Sequence, residues 1–188
     1  MQTEKKPEVI VFAGPNGSGK STITKLARIN EPYINADDIK RTTHCGDMDA
    51  AIKAEELRET ALSERSDFTF ETVLSTDRNL NLLKRAKEQG YFIRCIYVLT
   101  ENPEINEIRV MARQSHGGHG VPADKIRSRY ARCLNLLPEL VNLCDVLHIY
   151  DNSKEPFRIF KKRKTEYYYW ENEFWDKDRI QELTGIKL

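Results

Sequence analysis

The chain has 188 residues, enough for one substantial hydrophobic core and short for two. Its 30 basic and 29 acidic residues leave a formal net charge of +1, so no global field selects nucleic acid or an anionic membrane as partner. The opening segment, residues 1–8, is charged and lacks a signal-peptide core, and Val9–Ala13 is far too short to span a bilayer. Cys45, Cys95, Cys133 and Cys144 form no CxxC pair. Together these features predict a globular cytosolic protein in a reducing compartment.

Along the chain, Glu8–Ala13 is a nearly continuous apolar run, the pattern of a strand buried on both faces. It passes through GPNGSGK into STITKLARI, which reads as helix. Tyr33–Ala36 reads as a second strand ending at Asp37–Asp38, and Asp49–Arg65 as a helix. Asp67–Thr72 is a third strand, and Asp77–Gln89 a helix closed by Gly90. Tyr91–Leu99 is a fourth strand, and Asn102-Pro103 opens a helix to about Gln114. After the loop HGGHGVP, Ala123–Leu143 is helical with a break or kink at Pro138, and Asp145–Tyr150 is a fifth strand. Strands alternating with helices predict an α/β fold with about five mainly parallel strands covered on both faces, and the glycine-rich GPNGSGK between the first strand and its helix makes it one of the P-loop NTPase type. Residues 1–153 would form this domain. Residues 154–188 would add an appendage, an antiparallel hairpin of Phe157–Lys162 and Glu166–Trp170 at a sheet edge followed by a helix from Asp176 to Leu183.

Gly14-Pro15-Asn16-Gly17-Ser18-Gly19-Lys20-Ser21 fits G-x-x-x-x-G-K-[ST] in full, between a buried strand and a helix. Its glycines let backbone N–H groups turn inward around phosphate oxygens, and the helix amino end adds a favourable dipole. The expected ligand is ATP with Mg²⁺. Gly14, Pro15, Asn16, Gly17, Ser18, Gly19, Lys20, Ser21 and Thr22 are the candidate nucleotide contacts. Lys20 reaches the β and γ phosphates, and the Ser21 hydroxyl is the candidate metal ligand.

The phosphate loop alone does not separate kinases from GTPases or ATP-driven motors. No NKxD-like base-reading motif is present, and FTFET ends in a single acid, Glu71, followed by Thr72. In a parallel sheet the carboxyl ends of the strands share one edge, so Asp37, Glu71 and the phosphate loop should converge there. A carboxylate at that edge can accept the proton of an attacking hydroxyl; helix capping is the other role open to Asp37 and Asp38.

Arg109, Arg113, Arg127, Arg129 and Arg132 surround the loop HGGHGVP. A lid that brings such cations to a transferring phosphoryl group stabilises it and excludes water. Arg109, Arg113 and Arg129 join Lys20 and Asp37 as the candidate catalytic set, and Glu71, Thr72 and His119 are candidate substrate contacts. His116 and His119 flank two glycines without a third metal ligand nearby, which favours a hydrogen-bonding role for His119 over zinc. The run Lys161–Lys164 followed by Tyr167–Trp170 resembles a nucleic-acid patch, yet alternation in a hairpin turns these residues to opposite faces.

The pieces GPNGSGKST, YINADDI, FETVLS, NPEINEIRVMARQSHGGHGVP with IRSRY, and YDNS run in order from Val9 to Ser153. In this combination the chain resembles the zeta toxin family of P-loop kinases, particularly its short predicted-ATPase branch. The resemblance implies phosphoryl transfer from ATP to a small-molecule hydroxyl, the 3′-hydroxyl of a UDP-activated amino sugar in known members. It implies Asp37 as catalytic base, Glu71 as the acidic substrate residue, one phosphate-binding arginine at Arg109 or Arg113, and a protein antitoxin as partner. The family's second arginine falls at His119, a departure that leaves an arginine such as Arg129 as a substitute cation, or implies weaker phosphoryl transfer, or a different substrate. Two further readings stay open: a nucleotide-gated regulatory protein without transferase activity, and a kinase acting on nucleic-acid ends.

Overall fold

Val9–Ala13 are each at most 2% exposed, so the run must have sheet on both sides and helices above and below. The computed structural model describes residues 5–115 and 121–188. In chain order, β1 (Glu8–Ala13) leads to α1 (Lys20–Thr24), β2 (Tyr33–Ile34), α2 (Ala36–Thr43) and α3 (Asp47–Ser63). Next come β3 (Phe68–Thr72), α4 (Arg78–Glu88), β4 (Phe92–Leu99), α5 (Pro103–Ser115) and α6 (Ala123–Leu143). The chain closes with β5 (Val146–Asp151), β6 (Phe157–Arg163), β7 (Glu166–Tyr169) and α7 (Lys177–Thr184).

All seven strands lie in one sheet, ordered β2-β3-β1-β4-β5-β6-β7. The first five are parallel, with Val11 beside Phe70 on one side and Cys95 on the other. The hairpin continues this sheet antiparallel from β5, so the strand count is seven where five were expected. The crossover from β1 to β2 runs one way across the sheet, and those from β2 to β5 run the other. Right-handed crossovers therefore place α1 on one face and α3, α4 and α6 on the opposite face. β1 is central, so the phosphate loop leaves the middle of the sheet at its carboxyl edge.

Three local expectations change. The helix after the phosphate loop stops at Thr24, with Leu26 87% exposed beyond it. Thr22, Ile23 and Thr24 are β-branched, which disfavours helix continuation, and the Thr24 hydroxyl is held by Glu71. The second strand is only Tyr33–Ile34, because Asn35 caps α2 by accepting a 2.9 Å hydrogen bond from the Asp37 N–H. Asp37 and Asp38 thus stand in the first turn of a helix rather than at a strand end. Finally, α6 runs through Pro138 without a break. None of the helices among the described residues is long and apolar enough to cross a membrane.

Candidate functional site

The loop Gly14–Gly19 is shaped by close approach. Gly14, Gly17 and Gly19 have φ of +138°, +80° and +94°, and each lies where a Cβ would collide with a neighbour. At Gly14 a Cβ would fall 1.9 Å from the Val98 carbonyl oxygen, at Gly17 2.6 Å from that of Asn106, and at Gly19 2.2 Å from Asn152 Nδ2. The Asn152 amide donates to the Ser18 carbonyl oxygen at 2.7 Å, tying the loop to the chain that leaves β5. The Ser18 hydroxyl is fully buried and has no partner among the described residues.

Lys20 opens α1 and turns back over the loop, donating to the carbonyl oxygens of Gly14 at 2.7 Å and Pro15 at 3.0 Å. Burial lowers its pKa. Glu71, Cys133 and Asp37 oppose that shift, and the nearby Arg113 guanidinium adds to it. Lys20, Glu71, Asp37 and Arg113 therefore form one electrostatic group, as the shared sheet edge predicts. Ser21 and Thr22 are exposed at the start of α1, open to a ligand.

Glu71 Oε1 accepts from the Thr24 hydroxyl at 2.8 Å and from the Tyr33 hydroxyl at 2.7 Å. Partial burial and the adjacent Glu71 raise the Tyr33 pKa, keeping the phenol protonated as a donor. The next side chain, Thr72, turns to the other face, where its hydroxyl accepts from Leu74 N–H at 2.9 Å and Asn79 Nδ2 at 2.7 Å. Asp37 is exposed, while Asp38 is paired with Arg41 at 2.8 Å. Asp38 is engaged on its own helix, and the capping role open to the two acids falls to Asn35 instead.

The arginines separate by environment. Arg129 on α6 donates to Asn16 Oδ1 at 3.3 Å, directly on the phosphate loop. Arg113 acts on the charge of Lys20 from the last turn of α5. Arg109 instead points to the chain after β5, donating to the Ser153 carbonyl oxygen at 3.1 Å while its buried Nη1 has no acceptor among the described residues. Arg127 is paired with Glu107, and Arg132 with Ser128 of its own helix. His116 and His119 lie outside the described residues.

No family model matches the chain. An uncharacterized protein of Haemophilus influenzae is 31% identical over 129 residues, spanning 65% of this chain and 92% of that protein. The chain belongs to the family of that protein. Among solved structures, a chain of the PezAT chromosomal toxin-antitoxin system of Streptococcus pneumoniae aligns over 83% of this chain and 72% of its own length. The TM-score is 0.60 and the identity 17%. The AvrRxo1-ORF1:-ORF2 complex with ATP aligns over 87% of this chain and 60% of its own, with a TM-score of 0.62 and 14% identity. The fold is that of the zeta-toxin-like P-loop kinases.

Within this zeta-toxin-like frame, sequence reasoning passed over several residues that shape the site. Asn106 and Asn152 press on Gly17 and Gly19, and Tyr33 and Thr24 hold Glu71. Asp151 is 2% exposed and fixes Ser153, whose hydroxyl accepts from Glu101 N–H at 2.7 Å. Lone asparagines and hydroxyls carry no periodic signal. Asn152 and Ser153 stand inside the quoted YDNS, but their role emerges only once β5 is placed beside β4. The basic tail resolves as hairpin: Lys161 stacks its ammonium 5.4 Å from the Tyr168 ring, while buried Lys162 donates to the Val141 carbonyl oxygen at 2.6 Å. The β7 rings are more open than a packed strand implies, with Tyr167, Tyr168 and Tyr169 between 37% and 44% exposed.

Proposed function

We propose that the protein is an ATP-dependent phosphotransferase that phosphorylates the hydroxyl of a small molecule, a UDP-activated amino sugar being the family-derived candidate. The observation that carries this reading is the convergence at one sheet edge. There, Lys20 lies folded on a glycine loop shaped for backbone–phosphate contact, with two carboxylates and Arg113 acting on its charge.

The residues fit ATP and Mg²⁺. The glycine cradle leaves no room for side chains, the Ser18 N–H closes the loop on the Pro15 carbonyl oxygen at 3.3 Å, the N–H groups of Gly17, Gly19, Lys20 and Ser21 make none of the loop's backbone hydrogen bonds, and the Ser21 hydroxyl is exposed as a metal ligand. Ser21 would hold Mg²⁺, which would supply positive charge against the phosphate oxygens. Asp37 accepts the proton of the acceptor hydroxyl as its oxygen bonds to the γ phosphorus. The bond from that phosphorus to the β–γ bridging oxygen breaks, and ADP leaves with the electron pair. Lys20, Arg113 and Arg129 stabilise the charge that spreads over the transferring group. Glu71, held by Thr24 and Tyr33, orients the acceptor. Support for a protein antitoxin as partner comes from the PezAT relative, which belongs to a toxin-antitoxin system.

Asp37→Asn tests the reading. ATP affinity by calorimetry should stay near wild type while turnover falls about 10²- to 10⁴-fold, the usual contribution of a general base. Wild-type turnover in this variant would remove Asp37 from the mechanism. Lys20→Ala should instead weaken ATP binding itself, and an unchanged isotherm would contradict the phosphate-loop assignment.

A further inference from the structure

On α3 the residues turned to the sheet are Ala50, Ala54, Arg58, Ala61 and Leu62. A charged side chain therefore occupies a core-facing stripe that alanine and leucine otherwise fill. Arg58 is 8% exposed, and its guanidinium lies 5.4 Å from the centroid of the Phe70 ring. It makes no hydrogen bond or ion pair with any described residue.

Arg58 lines a cavity of about 200 Å³ between α3 and α4. The two glutamates nearest to it are taken: Glu55 pairs with Arg78 at 2.8 Å and Glu59 with Arg85 at 2.5 Å. Three guanidinium groups thus face two carboxylates, and the surplus positive charge sits on the most buried of the three. Buried charges persist where something pairs with them, and burial already depresses the Arg58 pKa. Asn79 and Asn81 add amide groups to the same wall.

One residue of the cavity wall also bonds to the sheet edge. Phe70 and Thr72 share a face of β3, about 7 Å apart at the usual strand rise. Asn79, which lines the cavity, donates to the Thr72 hydroxyl at 2.7 Å. Glu71 lies between Phe70 and Thr72 in the chain and faces the phosphate-loop side.

We propose that the cavity between α3 and α4 is an anion subsite that takes a phosphate or carboxylate group of the phosphoryl acceptor, with Arg58 as its countercharge. The acceptor is then an acidic small molecule, anchored below the edge while its hydroxyl lies at Asp37. The acceptor's identity rests on the phosphotransferase reading; the anion subsite does not.

The test uses the full chain saturated with a non-hydrolysable ATP analogue, so that the phosphate loop is filled, and titrates inorganic phosphate by calorimetry. One phosphate should bind. Arg58→Met, which keeps the length and the contact with Phe70, should weaken that binding at least tenfold, and Arg58→Lys should restore most of it. Absence of binding to the filled wild type overturns the subsite, as does equal binding by folded Arg58→Met. If Arg58→Met fails to fold, Asn81→Ala and Asn79→Ala carry the same comparison.

A second arm offers labelled ATP to acidic and neutral hydroxyl compounds. Label should enter acidic compounds, and Arg58→Met should raise KM for them at least tenfold with kcat changed only a few-fold. Equal labelling of neutral compounds overturns the acceptor assignment. Label in neither pool, with the phosphate isotherm intact, overturns the phosphotransferase reading and leaves the subsite standing.

Discussion

Gly17 and Gly90 share a left-handed backbone, with φ of +80° and +84°, and differ in what surrounds them. A Cβ at Gly90 would meet nothing within 4 Å, whereas one at Gly17 would stand 2.6 Å from the Asn106 carbonyl oxygen. Gly90→Ala should therefore cost only backbone strain, about 1–2 kcal/mol. Gly17→Ala adds a collision with backbone that cannot rotate away, for a total on the order of 2–5 kcal/mol. It should also lose ATP affinity, because the loop must shift. Urea denaturation of both variants with an ATP titration of the second checks this, and equal costs would show that Asn106 does not press on the loop. The contrast explains what was legible at this scale. The glycine spacing at 14–19 announces a phosphate cradle because glycine, lysine and serine recur there in a fixed order. The residues that shape the cradle from outside, Asn106 and Asn152, come from distant segments, and no local pattern marks them.

Elements were read best where burial is continuous. β1, β3 and β4 match the sequence reading to within a residue, because runs such as Val9–Ala13 have a single packing solution. β2 and α1 were overestimated. Each ends beside a polar side chain's own bond, the local one of Asn35 with Asp37 N–H and the long-range one of Thr24 with Glu71, and hydrophobic pattern does not register such bonds. β5 shows how an element's neighbours set its chemistry. His148 stands between Ile96 of β4 and Lys161 of β6. Burial, then Arg158, Lys161 and Arg94, lower its pKa from 6.5 to about 4. Between those values the unfolded chain holds a proton that the folded strand does not. Stability should thus fall as pH drops from about 6.5 to about 4 and gain no further loss from this group below that window. His148→Gln should flatten this part of the profile, so urea midpoints at pH 7.5 and 4.5 should differ less in the variant than in wild type. Parallel pH profiles would mean that the imidazole titrates normally in the fold.

The whole molecule is one sheet whose far end supports its centre. Alternating strands and helices made the five parallel strands legible, and the two aromatic-rich runs of the tail made the hairpin legible. Its place at a sheet edge was legible too, but not which edge, because pairing of β6 with β5 depends on the edge that β5 leaves open and not on any signal within the hairpin. That pairing has a functional consequence. The segment after β7 brings Asn172 to Asp151, where Nδ2 donates to Oδ2 at 2.9 Å. Asp151 Oδ1 holds Ser153, and Asn152 between them donates to the Ser18 carbonyl oxygen of the phosphate loop. Arg179 of α7 adds a 2.8 Å hydrogen bond to the Glu101 carbonyl oxygen, beside the same junction. Asn172→Ala would leave one oxygen of a buried carboxylate without its donor, at a cost of about 1–3 kcal/mol. Because the Asp151–Ser153 turn positions Asn152, the variant should also bind ATP more weakly, by up to about tenfold or 1.4 kcal/mol. Lys154→Ala is the matched control. It breaks the neighbouring Lys154–Glu173 pair, whose side chains are 68% and 57% exposed, and exposed pairs contribute about 0–1 kcal/mol. Thermal melts and ATP titrations of the two variants decide the matter: if Asn172→Ala behaves like Lys154→Ala in both, the carboxyl-terminal segment packs on the sheet without bracing the phosphate loop.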